Sequence, residues 1–207
     1  MTHLPRLAAL AAALLLSACA GSGSRNTTAL YDFGPLLQMQ TAAPGANTGA
    51  AAPLPALIVA DVDGPPALDS ERMQYRLLYA DARQARPYAY NQWTSTPPQL
   101  LTQRIKARLA QAGVKVLTST DVGSGAPMLR LELDDFAQNF SSATLSSGDL
   151  AVRASLFRNH RLVDQRTFRR SSPAPSADAA GGARALADAS DALAADLLAW
   201  LATLPPQ

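Results

Sequence analysis

The 207-residue chain predicts an α+β (mixed α/β) single domain, a mixed and mostly antiparallel sheet with two helices packed on one face, behind an N-terminal signal peptide. Three features carry this expectation. Short β-type runs, several with period-two alternation, recur between residues 56 and 170; two longer stretches place apolar residues three and four apart; and a Leu/Ala run opens the chain. The 48% apolar fraction suits one compact core, for which roughly 70% of the unfolded chain's surface is buried.

In order, Met1 to Arg6 supplies a basic start and Leu7 to Leu16 an uninterrupted apolar run. A bilayer-spanning helix needs about 20 such residues, so this is a signal-peptide core and not a transmembrane anchor. The run ends in Leu16-Ser17-Ala18-Cys19, which resembles the lipobox of bacterial lipoproteins. There the cysteine thiol becomes a thioether to diacylglycerol, and small residues such as Ser17 and Ala18 let the backbone enter a protease cleft. The alternative is an ordinary secretory peptide with a chance cysteine, whose cleavage site also wants small residues. Cleavage before Cys19 makes residues 1–18 the signal peptide and leaves Cys19 carrying diacylglycerol and an N-acyl chain; several chains on one residue give the stable anchoring that one does not. Ala20 stands where the sorting pattern uses Asp to retain a lipoprotein at the inner membrane, which predicts the outer membrane, facing the periplasm.

Residues 19–28 read as a lipidated tether too polar to order itself, and the domain follows over 29–207. Ala29 to Phe33 is a brief strand signal; residues 40–55, almost wholly Ala, Gly, Pro, Thr and Asn, read as a flexible loop. Ala56 to Val62 is an apolar run expected of a buried strand, stopped by Asp63-Gly64-Pro65-Pro66. Met73 to Tyr79 and Pro87 to Tyr90 read as paired strands around an Asp81 to Arg86 connection. Pro97-Pro98 open a helix, since proline fits the first turn, with Leu100, Leu101, Ile105, Leu109 and Ala112 on one stripe and Gly113 as C-cap. Val114 to Leu117 is the next strand. Leu129, Leu131 and Leu133 alternate with Arg130, Glu132 and Asp134 across Met128 to Phe140, the pattern of a half-buried antiparallel strand. Leu150 to Leu156 and Leu162 to Arg170 complete a meander around Arg158-Asn159-His160-Arg161. Ser171 to Gly182 reads as a linker, and Leu186, Ala189, Leu193, Leu197, Trp200 and Leu204 mark the final helix.

Charge and composition exclude several functions. Eighteen Lys+Arg against 16 Asp+Glu give a net +2, no electrostatic footprint for nucleic acid. A single cysteine excludes an intrachain disulfide and a Cys-rich zinc site, and two histidines leave only His160 for the folded part. Asp61 and Asp63, two apart on a strand, point the same way and suit a hard cation, but beside Gly64-Pro65 they read first as turn residues, so no metal is assigned. Asp134 and Asp135 point to opposite faces if extended, which argues against shared acid/base work. His160 reads as a solvated turn residue. Ser141, Ser142, Ser146 and Ser147 have no base partner, and neither a phosphate loop nor a G-x-S-x-G elbow follows any strand. Arg166, Arg169 and Arg170 read first as a solvated strand edge resisting unwanted pairing, with lipid head groups or a protein as the alternative. The C-terminal stripe reads as core. No catalytic residue is assigned, and the expectation is that the protein is not an enzyme.

Leu68-Asp69-Ser70-Glu71-Arg72-Met73-Gln74-Tyr75, then Tyr90-Asn91-Gln92-Trp93 and Pro97-Pro98-Gln99-Leu100-Leu101, with Tyr31-Asp32-Phe33 before them and Asp135-Phe136 and the Ala/Leu-rich helix after, resemble the ABC-type transport auxiliary lipoproteins. The resemblance runs from about Tyr31 to Trp200. That family includes the lipoprotein of the paraquat-inducible system and accompanies transporters whose periplasmic component has mammalian-cell-entry (MCE) domains. The resemblance implies a non-enzymatic outer-membrane lipoprotein that docks an MCE-domain protein to the outer membrane in a system moving lipids or other hydrophobic molecules between membranes. It implies no cofactor beyond the acyl chains on Cys19 and leaves room for a homo-oligomer. Asp69, Arg72, Tyr75 and Trp93 carry the family pattern and are the candidate interface positions; Trp93 stands evenly between core and interface, whereas Arg72 leans to interface. Two alternatives stay open: an outer-membrane regulator of a peptidoglycan synthase, for which residues 21–28, at most about 28 Å long, are a short arm; and a stand-alone lipid-binding module, which needs a deep apolar cavity.

Overall fold

The computed structural model describes residues 27–36, 56–118, 120–121 and 125–204. The expected signal peptide, Leu16, Ser17, Ala18 and Cys19 of the expected lipobox, most of the expected tether and the expected 40–55 loop lie outside the described residues. The elements are β1 (Ala29–Tyr31), β2 (Leu57–Val59), a 3₁₀ turn (Pro66–Leu68), β3 (Arg72–Leu77), β4 (Asp81–Trp93), α1 (Pro97–Gln111), β5 (Val116–Leu117), β6 (Met128–Phe140), β7 (Ser146–Arg158), β8 (Arg161–Pro173) and α2 (Ala179–Thr203).

All eight strands form one open, mixed sheet, and β6 is its central member. Along one edge β6 pairs antiparallel with β7 from Met128↔Phe157 to Phe140↔Ser146, and β8 extends that meander. Its other edge is shared. β2 lies parallel to its start (Ile58↔Met128, Val59↔Leu129), an isolated Asp63↔Glu132 bridge follows, and β3 lies parallel to its end (Tyr75↔Gln138 to Leu77↔Phe140). β5 flanks β2, β4 is antiparallel to β3, and β1 is parallel to the end of β4. The long pairings are thus antiparallel and the short ones parallel, in keeping with the predicted α+β class.

Both helices cover one face. Leu129, Leu131 and Leu133 of β6 and Val152 and Ala154 of β7, each at most 1% exposed, meet Leu101, Ile105 and Leu109 of α1 and Leu193 and Leu197 of α2 in a single core. Burying each of these leucines contributes about 1.5–3 kcal/mol before entropy is charged against it. α1 starts as its sequence dictates, with Pro97 and Pro98 in the first turn and the Gln99 side chain accepting from the Thr96 N–H at 3.4 Å. α2 is capped by Asp178, whose carboxylate accepts from the Gly181 N–H at 2.8 Å. Gly148 lets α2 lie against the sheet: a Cβ there would come within 2.5 Å of the Leu186 backbone nitrogen.

The structure corrects several expectations. The 81–86 connection is part of β4, and the chain turns at Leu78–Ala80 instead, because β4 pairs with β3 through two register shifts that absorb the extra residues. The 171–182 linker divides between β8, which continues to Pro173, and α2, which begins at Ala179. Gly181 and Gly182 mislead a propensity reading because they sit where a side chain would strike Ser176 and Gln138, so packing keeps them bare inside a helix. Asp134 and Asp135 do not face opposite ways. A bulge between Leu133 and Asp135 leaves Leu133 and Phe136 both in the core, so the two carboxylates share the face away from the helices.

Candidate docking surface

The motif segment Leu68 to Tyr75 divides by burial. Leu68 and Met73 are core residues, 7% and 2% exposed, while Asp69 and Arg72 are exposed. The Asp69 N–H donates to the Pro66 carbonyl at 3.2 Å, closing the 3₁₀ turn, and the Gln74 side-chain amide donates to the Ala67 carbonyl at 3.0 Å. This turn is therefore pinned onto β3, and Arg72 leaves the strand on the side opposite Met73.

Trp93 takes the core role of the two expected for it and cannot present itself to a partner. It is 1% exposed and packs edge-on against Phe33 at 5.9 Å and Phe136 at 5.7 Å between ring centres. Its backbone N–H donates to the Glu71 carbonyl at 2.7 Å, tying the motif segment to the end of β4. Tyr75 is half-buried, its ring tilted against Tyr88 at 4.6 Å and edge-on to Phe140 at 5.8 Å between ring centres. The Tyr88 hydroxyl donates to Gln138 Oε1 at 2.9 Å, and Gln138 donates on to Ser146 Oγ at 2.8 Å. Burial, with smaller contributions from Tyr75 and Asp178, pushes the Tyr88 hydroxyl pKa well above the ordinary phenol value, so it stays a neutral donor. The four pattern residues consequently do two jobs: Tyr75 and Trp93 hold β3 and β4 to the core, and Asp69 and Arg72 remain at the surface.

Around Gln92, the partner of Arg72, the structure places two exposed residues that the sequence reading did not mark as interface positions. Gln92 pairs with Arg72 on one side and Leu30 on the other, and Tyr90 lies two residues along β4. Leu30 is 61% and Tyr90 51% exposed. An aliphatic on the edge strand, an aromatic on its neighbour and an arginine at the start of β3 have the composition of interface anchors. Nothing in Ala29-Leu30-Tyr31 distinguishes an edge strand from a buried one; the edge position comes from pairing.

Farther along the same sheet face the charges are matched. Arg153 is ion-paired with Glu132 and lies 3.9 Å from Asp134, Arg76 pairs with Asp135 at 3.0 Å, and Asp149 accepts from Asn139 at 2.6 Å and Ser171 at 2.5 Å. Asp134 and Asp135 thus share a face but are divided between two arginines. Arg166, Arg169 and Arg170 lie round one depression, with two of them engaged by neighbours. Arg170 is ion-paired with Asp196 of α2, and Arg166 lies 5.4 Å from the Phe168 ring centre. All three arginines line this open depression of about 450 Å³ with Phe168 and Trp200, a mixed polar and apolar lining open to solvent rather than a deep apolar cavity. Asp61 is paired with Lys106 at 2.7 Å and Asp63 joins β6 through its backbone, so both act within the sheet margin. His160 sits with Asn159 at positive φ, 61° and 49°, in a two-residue hairpin turn, as expected. Among the described residues no helix is long and apolar enough to cross a membrane.

Solved structures share this architecture at low identity. Protein XCC0632 from Xanthomonas campestris superposes with a TM-score of 0.63 at 21% identity, covering 74% of this chain and 88% of that one. A structure of an uncharacterized protein gives 0.65 at 16%, covering 84% and 99%. The hypothetical protein CT253 from Chlamydia trachomatis gives 0.50 at 10%, covering 72% and 96%. These similarities are of fold. No curated protein matches the chain. The family model described as ABC-type transport auxiliary lipoprotein component matches residues 37–197, most of the described domain, and the chain belongs to that family.

Proposed function

We propose that this auxiliary lipoprotein is anchored to the outer membrane through diacylglycerol and an N-acyl chain on Cys19 and docks the periplasmic MCE component of an ABC transport system there. The system moves lipids or other hydrophobic molecules between the membranes, and the lipoprotein contributes location rather than catalysis. The acyl chains confine the domain near one membrane and raise its effective concentration for a partner arriving from the other. The observation that carries the reading is the surface around Arg72: this family-pattern arginine is exposed at the start of β3, and Leu30 on the edge strand β1 and Tyr90 on β4 leave apolar side chains uncovered near it, whereas Trp93 is buried and Tyr75 half-buried.

The test is a pull-down of the acylated protein from detergent-solubilised envelope, with bound proteins identified by mass spectrometry. The expected result is an MCE-domain protein with its permease and ATPase, lost when Arg72→Glu and Tyr90→Ala are combined in a protein that still folds and is still acylated. Co-elution of peptidoglycan synthases instead, or an MCE partner retained at full yield by the double variant, overturns the docking role or the assigned surface respectively. Transport sustained fully by a folded, periplasmic Cys19→Ser protein refutes tethering.

A further inference from the structure

At one end of the sheet two neighbouring turns carry apolar side chains into solvent. Leu77 pairs with Phe140 and the Leu78 N–H donates to the Phe140 carbonyl at 2.9 Å, so the β3–β4 and β6–β7 turns stand side by side. Leu78 and Tyr79 on the first turn are 44% and 54% exposed, and Leu145 on the second is 65% exposed. The second turn is built to hold this shape: Ser142 Oγ accepts from the N–H groups of Thr144 at 3.3 Å and Leu145 at 3.1 Å. From Ser141 to Gly148 no residue is charged. A projecting, uncharged tip of two leucines and a tyrosine matches the membrane interface, where tyrosine places its ring in the apolar zone and its hydroxyl among head groups.

The course of the chain points the same way. β4 starts at these turns and β1 runs parallel to it, so the chain preceding Ala29 leaves toward the tips. Ala29 pairs with Asn91, level with the start of β3, and the five steps from Arg72 to Leu77 cover about 17 Å. The ten residues from Cys19 to Thr28 span up to about 35 Å. Cys19 therefore reaches the plane of the tips with chain to spare.

We infer that this end of the domain rests on the lipid surface that holds the acyl chains, with Leu78, Tyr79 and Leu145 in the interfacial region. The Asn159-His160 turn, at the other end of β6 and about 40 Å away, faces the periplasm. The inference rests on the Cys19 anchor of the proposed function. Asp81 stands two residues from Arg83 and the Arg86 guanidinium donates to Gln84 Oε1 at 2.9 Å, while the tip side chains themselves carry no charge, so the contact is apolar in origin and takes zwitterionic lipid.

The experiment places the full-length acylated protein in phosphatidylethanolamine/phosphatidylcholine nanodiscs, with the polarity-sensitive fluorophore NBD attached through Leu145→Cys or, separately, His160→Cys; acylated Cys19 has no thiol to label. The expected result is blue-shifted emission at position 145, quenched several-fold more strongly by nitroxide-labelled lipid than at position 160, and unchanged at high salt. Equal, water-like emission at both positions, with Cys19 acylated by mass, overturns the orientation and leaves the anchor standing; an unacylated Cys19 overturns both. Hydrogen exchange on unlabelled protein gives an independent reading: amides of residues 78–80 and 141–145 slow on the disc relative to Cys19→Ser protein in solution, and identical rates contradict the inference.

Discussion

Removing the Asp191 carboxylate is expected to loosen the junction of the two helices. Arg104 and Arg108, one turn apart on α1, both face α2, with side chains only 6% and 9% exposed. Arg108 forks onto Asp191, Nε to Oδ1 at 2.8 Å and Nη2 to Oδ2 at 2.5 Å, and this pairing raises its already high pKa. Arg104 Nε sits 3.3 Å from the same Oδ1 without hydrogen-bond alignment, and its Nη2 donates to the Phe33 carbonyl. One carboxylate thus offsets two enclosed cations. Breaking a buried pair costs about 3–5 kcal/mol because the remaining charge is uncompensated. Here Asp191 is 28% exposed and Arg108 keeps a bond to Gln111 at 2.9 Å, so water and a retained acceptor reduce the loss to roughly 2–3 kcal/mol for Asp191→Ala. In a domain of this size that lowers Tm by about 4–12 °C. Thermal and urea unfolding, followed by far-UV circular dichroism and tryptophan fluorescence, measure it. Pairing Arg108→Met with Asp191→Leu is expected to recover part of the loss, since it removes a charge together with its partner. A change below about 0.5 kcal/mol for Asp191→Ala, the range of an ordinary surface substitution, refutes the argument that the two arginines depend on this carboxylate.

Two further outcomes follow from the contacts of α2. Gly148→Ala adds a methyl group 2.5 Å from the Leu186 nitrogen and 2.7 Å from the Ala185 carbonyl carbon, backbone that cannot turn aside; overpacking of about 1–3 kcal/mol is expected to outweigh the roughly 0.5–1 kcal/mol that alanine gains over glycine within a strand, and a higher urea midpoint contradicts this. Asp178→Ala is expected to cost about 1 kcal/mol at neutral pH through loss of the α2 cap, whereas Asp178→Asn keeps most of it. The Gly181 N–H and then the Ser176 hydroxyl hold the Asp178 carboxyl below the ordinary value, so its contribution is complete above the unfolded pKa near about 4 and is lost as pH falls through the lowered folded value. The stability gap between wild type and Asp178→Ala, measured by urea titration from neutral to acid pH, therefore closes on acidification; a constant gap refutes the charged-cap account.

The strands and helices that carry the core were legible in the sequence where burial imposes a period. Leu129-x-Leu131-x-Leu133 and the three-and-four spacing from Leu186 to Trp200 announce which side of each element is covered, and the Pro97-Pro98 start of α1 follows from local backbone chemistry. The lipobox and the motif segment pointed to the family for the same reason, since their information lies within a few consecutive residues. What failed were readings that depend on a distant neighbour. Gly181-Gly182 looks like a linker until Ser176 and Gln138 occupy the space of their missing side chains, and Asp134-Asp135 looks like an alternating pair until the bulge opposite Val152 and Ala151 turns both outward.

The candidate surface divides along the same line. Sequence alone marked Asp69, Arg72, Tyr75 and Trp93 as one set, because a motif records position along the chain and not depth. Tertiary structure separated them: the aromatic cluster of Phe33, Trp93 and Phe136 forms only when the segment after β1 meets β4 and β6, which buries Trp93 and leaves Arg72 outside, across Gln92 from Leu30. Local chemistry determined most of the elements, the proline start of α1 and the reading of the family. Sheet pairing decided which strands are edges, which turns stand together, and so which apolar side chains remain in water, because each of these depends on contacts between residues tens of positions apart.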